Sequence, residues 1–448
     1  ESFTGGAYGS GSFLTGTLGN WFASFLPAQQ MAYPFWWLYS LSLGTFFVLL
    51  PLTRYMHIPT ELFLIFMRNS GIRTGDRTGS FSEVQVYSCS SCGICIDACQ
   101  LNFSAGITDI QSAYLMKAIR NDEDTSYIAN NCLMCGRCDA ACPVGIELSP
   151  IRMIRRRAAE TENDIRNIWK GYFRSRQVDM PVKPEPVPVY SFLPEPEVEK
   201  TDVIYFAGCM SHLTPSIKEA MTRILDASGL KWSFMDKDGG ACCGRPLMLA
   251  GSDREARELI NYNSHTIWKS GAHTLVTSCP ICYKVFRESY YLDVEVLHHS
   301  QFINNLIRDE KIKLNFLQKN IVYHTPCELG RGSGIYEEPK EVLRHVARLE
   351  KTVYEDEKGL CCGGSLGNMK IDTVNKHRIA VDAAALLTKS NPDILATACP
   401  LCKKTFAPAT TVKVSDIAEI VSEALVSGSP RKNLARTQVL KRESADIV

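Results

Sequence analysis

For its first fifty-three residues the chain has no Lys or Arg, and the first cation is Arg54. Net charge is also nearly missing: 49 Lys plus Arg against 48 Asp plus Glu leave +1 over 448 residues. That removes the broad positive surface expected of a nucleic-acid binder. Neither G-x-x-x-x-G-K-[ST] nor a strand-linked G-x-G-x-x-G occurs, so the glycine-rich nucleotide cradles are absent. No basic n-region precedes the first apolar stretch, which argues against a signal peptide. Charged residues make up 22% and hydrophobic ones 45%, too apolar for an extended disordered chain. The length allows about three domains.

What is plentiful is cysteine, with 18 residues in tight groups over a long chain. Cys89, Cys92, Cys95 and Cys99 are spaced C-x2-C-x2-C-x3-C, and Cys132, Cys135, Cys138 and Cys142 repeat the spacing, with Pro143 following. In a bacterial ferredoxin run, three thiolates on one loop hold a [4Fe–4S] cluster while the fourth crosses to its neighbour. The expected sets are therefore Cys89, Cys92, Cys95 and Cys142 for one cluster, and Cys132, Cys135, Cys138 and Cys99 for the other. Gly93 and Gly136 let the backbone wrap around inorganic sulfide. Structural zinc is the alternative, but zinc sites usually pair C-x2-C knuckles rather than repeat a four-cysteine run. One departure stands out: Gln100 occupies the place where the run ends in Pro. Ser112–Asn121 reads as a helix, and Ile151–Asn167 as a charged helix whose Arg152, Arg155, Arg156 and Arg157 form a solvated face or attract an acidic partner.

The ten other cysteines fall in an internal repeat. DVIYFAGCM (202–210) aligns with NIVYHTPCE (320–328), GGACCGRPL (239–247) with KGLCCGGSL (358–366), and HTLVTSCPICYKVF (273–286) with DILATACPLCKKTF (393–406). Val203–Ala207, Thr274–Thr277, Ile321–Tyr323 and Ile394–Thr397 read as strands, each leading to a cysteine, with helices such as Ile217–Leu230 and Arg254–Lys269 between. Side chains at the carboxyl ends of parallel strands converge on one crevice. Cys209, Cys242, Cys243, Cys279 and Cys282 are thus expected to meet at one point, and Cys327, Cys361, Cys362, Cys399 and Cys402 at a second. Five thiols exceed what zinc or a cubane requires, and a disulfide array has little use in a cytosolic chain. His324, Arg331, His298 and Lys403 are candidates for proton donation or anion binding, against a structural role for each.

From Pro34 to Leu52 nineteen residues carry no charge, close to the span of a bilayer core. Trp36, Trp37 and Tyr39 stand at its start as interfacial aromatics, and Arg54, Arg68, Arg73 and Arg77 follow it. The positive-inside rule then brings the chain out on the cytoplasmic side. A buried core helix, or one docked on a partner's membrane subunit, is the other reading. Ile58–Met67, after His57, looks like an interfacial helix. Glu1 in place of Met implies a processed chain or the interior of a longer one.

The patterns C-x32-CCG-x34-C-P-x-C and C-x33-CCG-x35-C-P-x-C resemble the cysteine-rich domain of heterodisulfide reductase catalytic subunits. Relatives occur in anaerobic glycerol-3-phosphate dehydrogenase and lactate-utilisation iron–sulfur subunits. The resemblance covers about residues 80–425. It implies that each five-cysteine set holds a non-cubane [4Fe–4S] cluster of the kind at which a disulfide is cleaved in one-electron steps, so both sets count as catalytic. Several relatives carry His where Glu328 stands here, which puts nearby substrate contacts in doubt. The spacing of the ferredoxin runs is similar to the helical ferredoxin domains of fumarate reductase and heterodisulfide reductase. Leu41–Asn69, with Leu-Thr-Arg-Tyr-Met-His-Ile-Pro, resembles the last membrane helix of the cytochrome b subunits of nitrate reductase and heterodisulfide reductase. That resemblance makes His57 a candidate haem b ligand, against an interfacial polar tip.

The expected architecture is a transmembrane or membrane-associated N-terminal helix, an α-helical dicluster ferredoxin domain and a duplicated α/β cysteine-rich domain. Boundaries fall at 1–33 for a Gly-rich tether, 34–69 for the membrane and interfacial helices, and 80–178 for the ferredoxin domain. A Pro-rich linker follows at 179–200, then the two modules at 201–318 and 319–428 and a tail at 429–448. The expected function is that of an iron–sulfur oxidoreductase subunit at the cytoplasmic face of a membrane, within a multi-protein complex. It would carry electrons between a membrane cytochrome b or quinone and a flavoprotein, a thiol/disulfide substrate or another iron–sulfur protein. Electron-transfer flavoprotein:menaquinone oxidoreductase and a non-catalytic relay are the alternatives.

Overall fold

The computed structural model describes residues 28–50, 53–72, 74, 79–158, 200–237, 242–249, 253–364 and 371–426. The tether over 1–27, the second half of the charged helix at 159–167, the linker over 179–199 and the tail at 429–448 lie outside these residues. The backbone divides into two compact units, one of Glu1–Arg73 with Glu83–Ser90, the other of Thr74–Ser82 with Ser91–Val448.

In the first unit the uncharged run forms the helix Ala28–Leu49, followed by a 3-10 turn at Arg54–Met56 and the helix His57–Asn69. The first helix takes its opening turns from the polar Gln29 and Gln30 and ends two residues before Pro51. Pro51 lacks the N–H that a further turn would need. Among the described residues no helix is long and apolar enough to cross a membrane. The expected transmembrane helix over 34–52 is therefore corrected: the helix spans Ala28–Leu49, opens on polar residues and is diluted by Tyr39, Ser40, Ser42 and Thr45. Its apolar side chains are nonetheless uncovered, with Trp36 58%, Phe47 62% and Val48 75% exposed. The second helix buries Leu64 and exposes Leu62, Phe63 and Phe66.

The second unit begins with short helices: Ile94–Asp97, Gln100–Phe103, Ser112–Arg120, Ser126–Asn130 and Arg137–Ala141, then a helix over 148–158. Two parallel sheets follow. The first joins β1 (Val203–Phe206), β2 (Trp232–Phe234), β3 (Thr274–Thr277) and β4 (Glu295–His298) in the order β2-β1-β3-β4. The second joins β5 (Asn320–His324), β6 (Arg348–Glu350), β7 (Ile394–Thr397) and β8 (Lys413–Asp416) in the order β6-β5-β7-β8. Registers match as well: Val203 pairs with Trp232 and Thr274, and Ile321 with Leu349 and Ile394. The strands β1, β3, β5 and β7 agree with the sequence reading to within a residue or two. The short edge strands carry too little apolar pattern to be read in advance.

The two modules share one core, because each lends helices to the other. Pro215–Ser228 of the first packs on Ile417–Ala424 of the second, and His299–Arg308 on Glu337–Val346. Ile224, Ile303, Val342 and Val421 are fully buried between them. Removing that apolar area from water stabilises both halves together. In both sheets the strand order reverses between the two central strands, the usual place for a site in an open α/β sheet.

Candidate functional site

In the ferredoxin runs the same local geometry occurs twice. Ser91 (φ 56°) and Gly93 (φ 86°) flank Cys92, and Met134 (φ 53°) and Gly136 (φ 70°) flank Cys135. Two left-handed residues around one cysteine turn the backbone sharply, and each glycine then starts the short helix that carries the next cysteine. Cys99, Cys132, Cys135 and Cys138 line one enclosed cavity, together with Cys95, Leu101 and Ile110. Cys142 is not among its walls. Burial raises the Cys99 thiol to about 11, while Cys135 is lowered to about 6, chiefly by a hydrogen bond from Cys361. Cys92, Cys95 and Cys142 belong to the second unit and Cys89 to the first.

The charged helix after these runs is not wholly a solvated face: Arg155 and Arg157 are half-exposed, but Arg152 and Arg156 are buried, which corrects the sequence reading for those two. Arg152 is 2% and Arg156 4% exposed. Arg152 donates to the carbonyls of Ile110 (3.0 Å) and Ile128, and Arg156 to those of Ala129 (2.7 Å) and Cys132 (3.2 Å). Arg156 fastens the loop that bears Cys132 to the helix behind it, and Arg152 fastens Ile110 and the helix Ser126–Asn130.

Each module gathers its five thiols at the carboxyl ends of its central strands. In the first, Cys242 is within hydrogen-bonding reach of Cys209 and Cys243, Cys243 of Cys282, and Cys282 of Cys279. These donors lower Cys242 to about 3. In the second, Cys361 reaches Cys327 and Cys362, Cys362 reaches Cys402, and Cys402 reaches Cys399. Cys279 and Cys399 each stand at the N-cap of a helix that opens on Pro280 or Pro400, so the first-turn N–H groups face sulfur. Gly208 (φ 82°) is required in the first module: a Cβ there would lie 2.9 Å from Cys282 Sγ.

Among the described residues no three of His, Cys, Asp and Glu are arranged to hold a single metal ion. Thiols gathered around one cavity in the ferredoxin domain, and in a group of five in each module, instead suit a polynuclear sulfur-bridged group with several irons to share them. The donor sets fit iron–sulfur clusters.

The ferredoxin domain meets the second module at Cys135 and Cys361, which pack in one cluster with their thiols within hydrogen-bonding reach. Two arginines cross this junction. Arg331 donates to the carbonyls of Cys135 (2.8 Å) and Gly359 (2.7 Å), and Arg137 to those of Ala98 (2.9 Å) and Gly359 (3.1 Å). A cavity of about 640 Å³ opens beside them, with Cys135 and Cys327 in its wall. Glu328 lines it too, drawing Arg245 (3.7 Å) and Lys284 (3.8 Å) across from the first module. Glu328 thus holds two cations beside Cys327.

The other candidates take structural posts. His324 is buried, bonded to the Leu360 carbonyl (2.9 Å) and Thr397 Oγ1 (3.2 Å). His298 caps the helix His299–Arg308, and Lys403 pairs with Glu419 (2.6 Å). His57 is the first residue of its helix, half-buried, and the first unit has no other histidine. A haem held by two histidines would need its second ligand from elsewhere. The sequence reading missed Gln100, Asn263 and Tyr290, which hold the cysteine pairs. Only Gln100 carried a signal, as the residue standing in place of Pro.

Residues 85–146 match the 4Fe-4S dicluster domain model, and residues 203–287 and 321–407 each match the cysteine-rich domain model. The chain is similar to iron–sulfur subunits of heterodisulfide reductase. One such subunit, from the dihydromethanophenazine:CoB–CoM heterodisulfide reductase of Methanosarcina barkeri, is 31% identical over 255 residues, 52% of this chain and 61% of that protein. A subunit of the fumarate reductase (CoM/CoB) of Methanothermobacter marburgensis is 25% identical over 61% of this chain and 55% of its own length. The EtfAB:quinone oxidoreductase of Syntrophomonas wolfei is 26% identical over 52% of this chain and 36% of its own length. The chain therefore spans about three-fifths or less of these relatives. Both family matches fall within residues 85–407 and leave the N-terminal segment outside. Among solved structures, an aspartate racemase homologue from Pyrococcus horikoshii has a TM-score of 0.24 at 12% identity, over 50% of this chain and 96% of that one.

Proposed function

We propose that the chain is the electron-carrying iron–sulfur component of a redox complex. Cys89, Cys92, Cys95 and Cys142 would hold one cubane [4Fe–4S] cluster, and Cys132, Cys135, Cys138 and Cys99 a second. Each five-cysteine module would hold a non-cubane [4Fe–4S] cluster. When bound, such clusters supply one-electron carriers, and the protein supplies spacing, burial and hydrogen bonds. The observation that carries this reading is the Cys135–Cys361 contact, which joins a ferredoxin ligand set to a module ligand set with no intervening residue.

The chain's own residues then have definite tasks. Leu101, Ile110 and Leu133 keep water from the ferredoxin cavity, and Arg137 and Arg331 lock the junction. Beside Cys327, Arg245 and Lys284, paired with Glu328, line the cavity that a thiol or disulfide would enter. Reducing a disulfide to two thiols takes two electrons and two protons. A membrane cytochrome b, a quinol or a flavoprotein would supply the electrons, delivered one at a time. The uncovered apolar helices of the first unit favour a membrane-associated complex, docked on a membrane protein with its cluster domains on the cytoplasmic side. In that docked state His57 would hold haem b together with a residue of a partner.

Anaerobic purification followed by iron analysis and an EPR-monitored redox titration tests the proposal. About sixteen iron atoms per chain and four separable signals are expected, four irons to a cluster. A colourless protein free of iron would sink it. A cluster-loaded protein that never consumes a disulfide, yet is reduced by a flavoprotein, would select the relay reading.

A further inference from the structure

Both modules must hold their adjacent cysteine pair, yet they do so with residues from different places. In the first, Asn263 on the helix Asp253–Ser270 donates to the carbonyl of Cys242 (2.8 Å), and Tyr290 to that of Cys243 (3.2 Å). Both helpers come from the same module. In the second, the matching helix Thr373–Leu387 carries Asp382 and Ala383 where Asn263 would align, and neither is an amide. The missing donor comes from the ferredoxin domain. Gln100, 1% exposed, donates through Nε2 to the carbonyl of Cys361 (3.1 Å) and accepts from the Cys361 N–H through Oε1 (2.5 Å).

This two-point grip explains the departure at residue 100. Pro there would end the ferredoxin run normally but could offer no side-chain amide. Gln100 follows Cys99, a member of the ferredoxin ligand set, and holds the residue whose thiol meets Cys135. Its amide satisfies both backbone groups of Cys361, which in a buried site fixes the direction of the cysteine's Cα–Cβ bond. Arg331 holds the carbonyl of Cys135 and Arg137 the loops around it, whereas Gln100 holds both backbone groups of Cys361.

We propose that Gln100 is a positioning residue for electron exchange between the ferredoxin domain and the second module. It sets the placement of Cys361 opposite Cys135 and tunes the site that Cys361 serves. The exchange moves one electron, with no bond made and no proton displaced. The inference rests on the cluster reading given under Proposed function.

The test compares Gln100→Leu, Gln100→Glu and Ser104→Ala in the full chain. Gln100→Leu removes both hydrogen bonds, and Gln100→Glu keeps only the acceptor. Ser104→Ala breaks another contact of the same junction, Ser104 Oγ to Asp382 Oδ2 at 2.5 Å. The readouts are iron content, the reduction potential and EPR line shape of the second module, and its magnetic coupling to the ferredoxin domain. In Gln100→Leu, iron content should hold while the second-module potential shifts and the coupling weakens. The held arrangement should become about fivefold less populated for each hydrogen bond lost. In its coupling Gln100→Glu should fall between wild type and Gln100→Leu, and Ser104→Ala should match wild type. A second-module potential unchanged in Gln100→Leu would overturn the proposal, as would an equal shift in Ser104→Ala. If Gln100→Leu fails to fold, Gln100→Glu decides by the coupling, since its carboxyl would shift the potential by charge alone: a weakened coupling supports the proposal and an unchanged one overturns it. Wild-type protein without iron would overturn the cluster reading itself, an outcome distinct from all of these.

Discussion

Single residues carry much of the argument because sulfur sites tolerate little displacement. Gly208 is the sharpest case, since its positive φ disfavours any L side chain and its Cα faces Cys282 Sγ. Gly208→Ala should remove the first-module EPR signal, lower iron content by about four atoms per chain, and leave the second module intact. Arg152 matters for another reason. Its guanidinium serves two carbonyls inside the ferredoxin domain, and Arg152→Ala would leave both without a donor. A loss of about 3 kcal/mol is expected from two buried acceptors left unpaired, measurable by denaturant titration. From sequence, four nearby arginines read as a surface, because nothing in the pattern says which face of a short helix meets a loop twenty-four residues upstream. The thiols were legible, since their chemistry is set by identity and spacing alone.

At the scale of elements, strand–cysteine–helix units repeat because each parallel strand delivers its cysteine to the same end of a sheet. The caps that fix them are buried. His298 caps the helix His299–Arg308, with its Nδ1 2.8 Å from Ser300 Oγ. Burial, then the neighbouring His299, push its pKa well below 6.5, and burial lowers that of His324 as well. Both folded values lie below the unfolded one. Their contribution to stability is thus present above about pH 6.5 and is lost as pH falls through the folded values. The melting temperature should drop on acidification below pH 6.5. His298→Asn, which keeps a capping oxygen but does not titrate, should flatten that slope. If its slope matches wild type, His298 does not contribute. The apolar helix Ala28–Leu49 shows where element-level reading fails. An uncharged run defines where a helix has no charges, but its limits depend on where Pro51 interrupts the hydrogen bonds and on polar residues that precede the run.

At the scale of the molecule, the modules are alike in topology and unlike in surroundings. The second is joined to the ferredoxin domain by Gln100, Arg137 and Arg331, and no sequence period announces a contact across 261 residues. The apolar surface of the first unit belongs to this scale too. Phe47→Glu together with Leu62→Glu should release the chain from membrane vesicles that carry its partner, leaving cluster spectra unchanged. Retention on such vesicles, assayed by flotation, would count against docking through these helices. By itself the sequence determined which residues are thiols, how they are spaced, that the α/β unit is duplicated, and which four strands lie at its centre. These follow from covalent order and local periodicity. Only the tertiary structure decided that the modules pack helix on helix, that Arg152 and Arg156 are buried, and that Gln100 reaches Cys361. Each of those depends on which distant backbone groups are left without partners once the chain has closed around them.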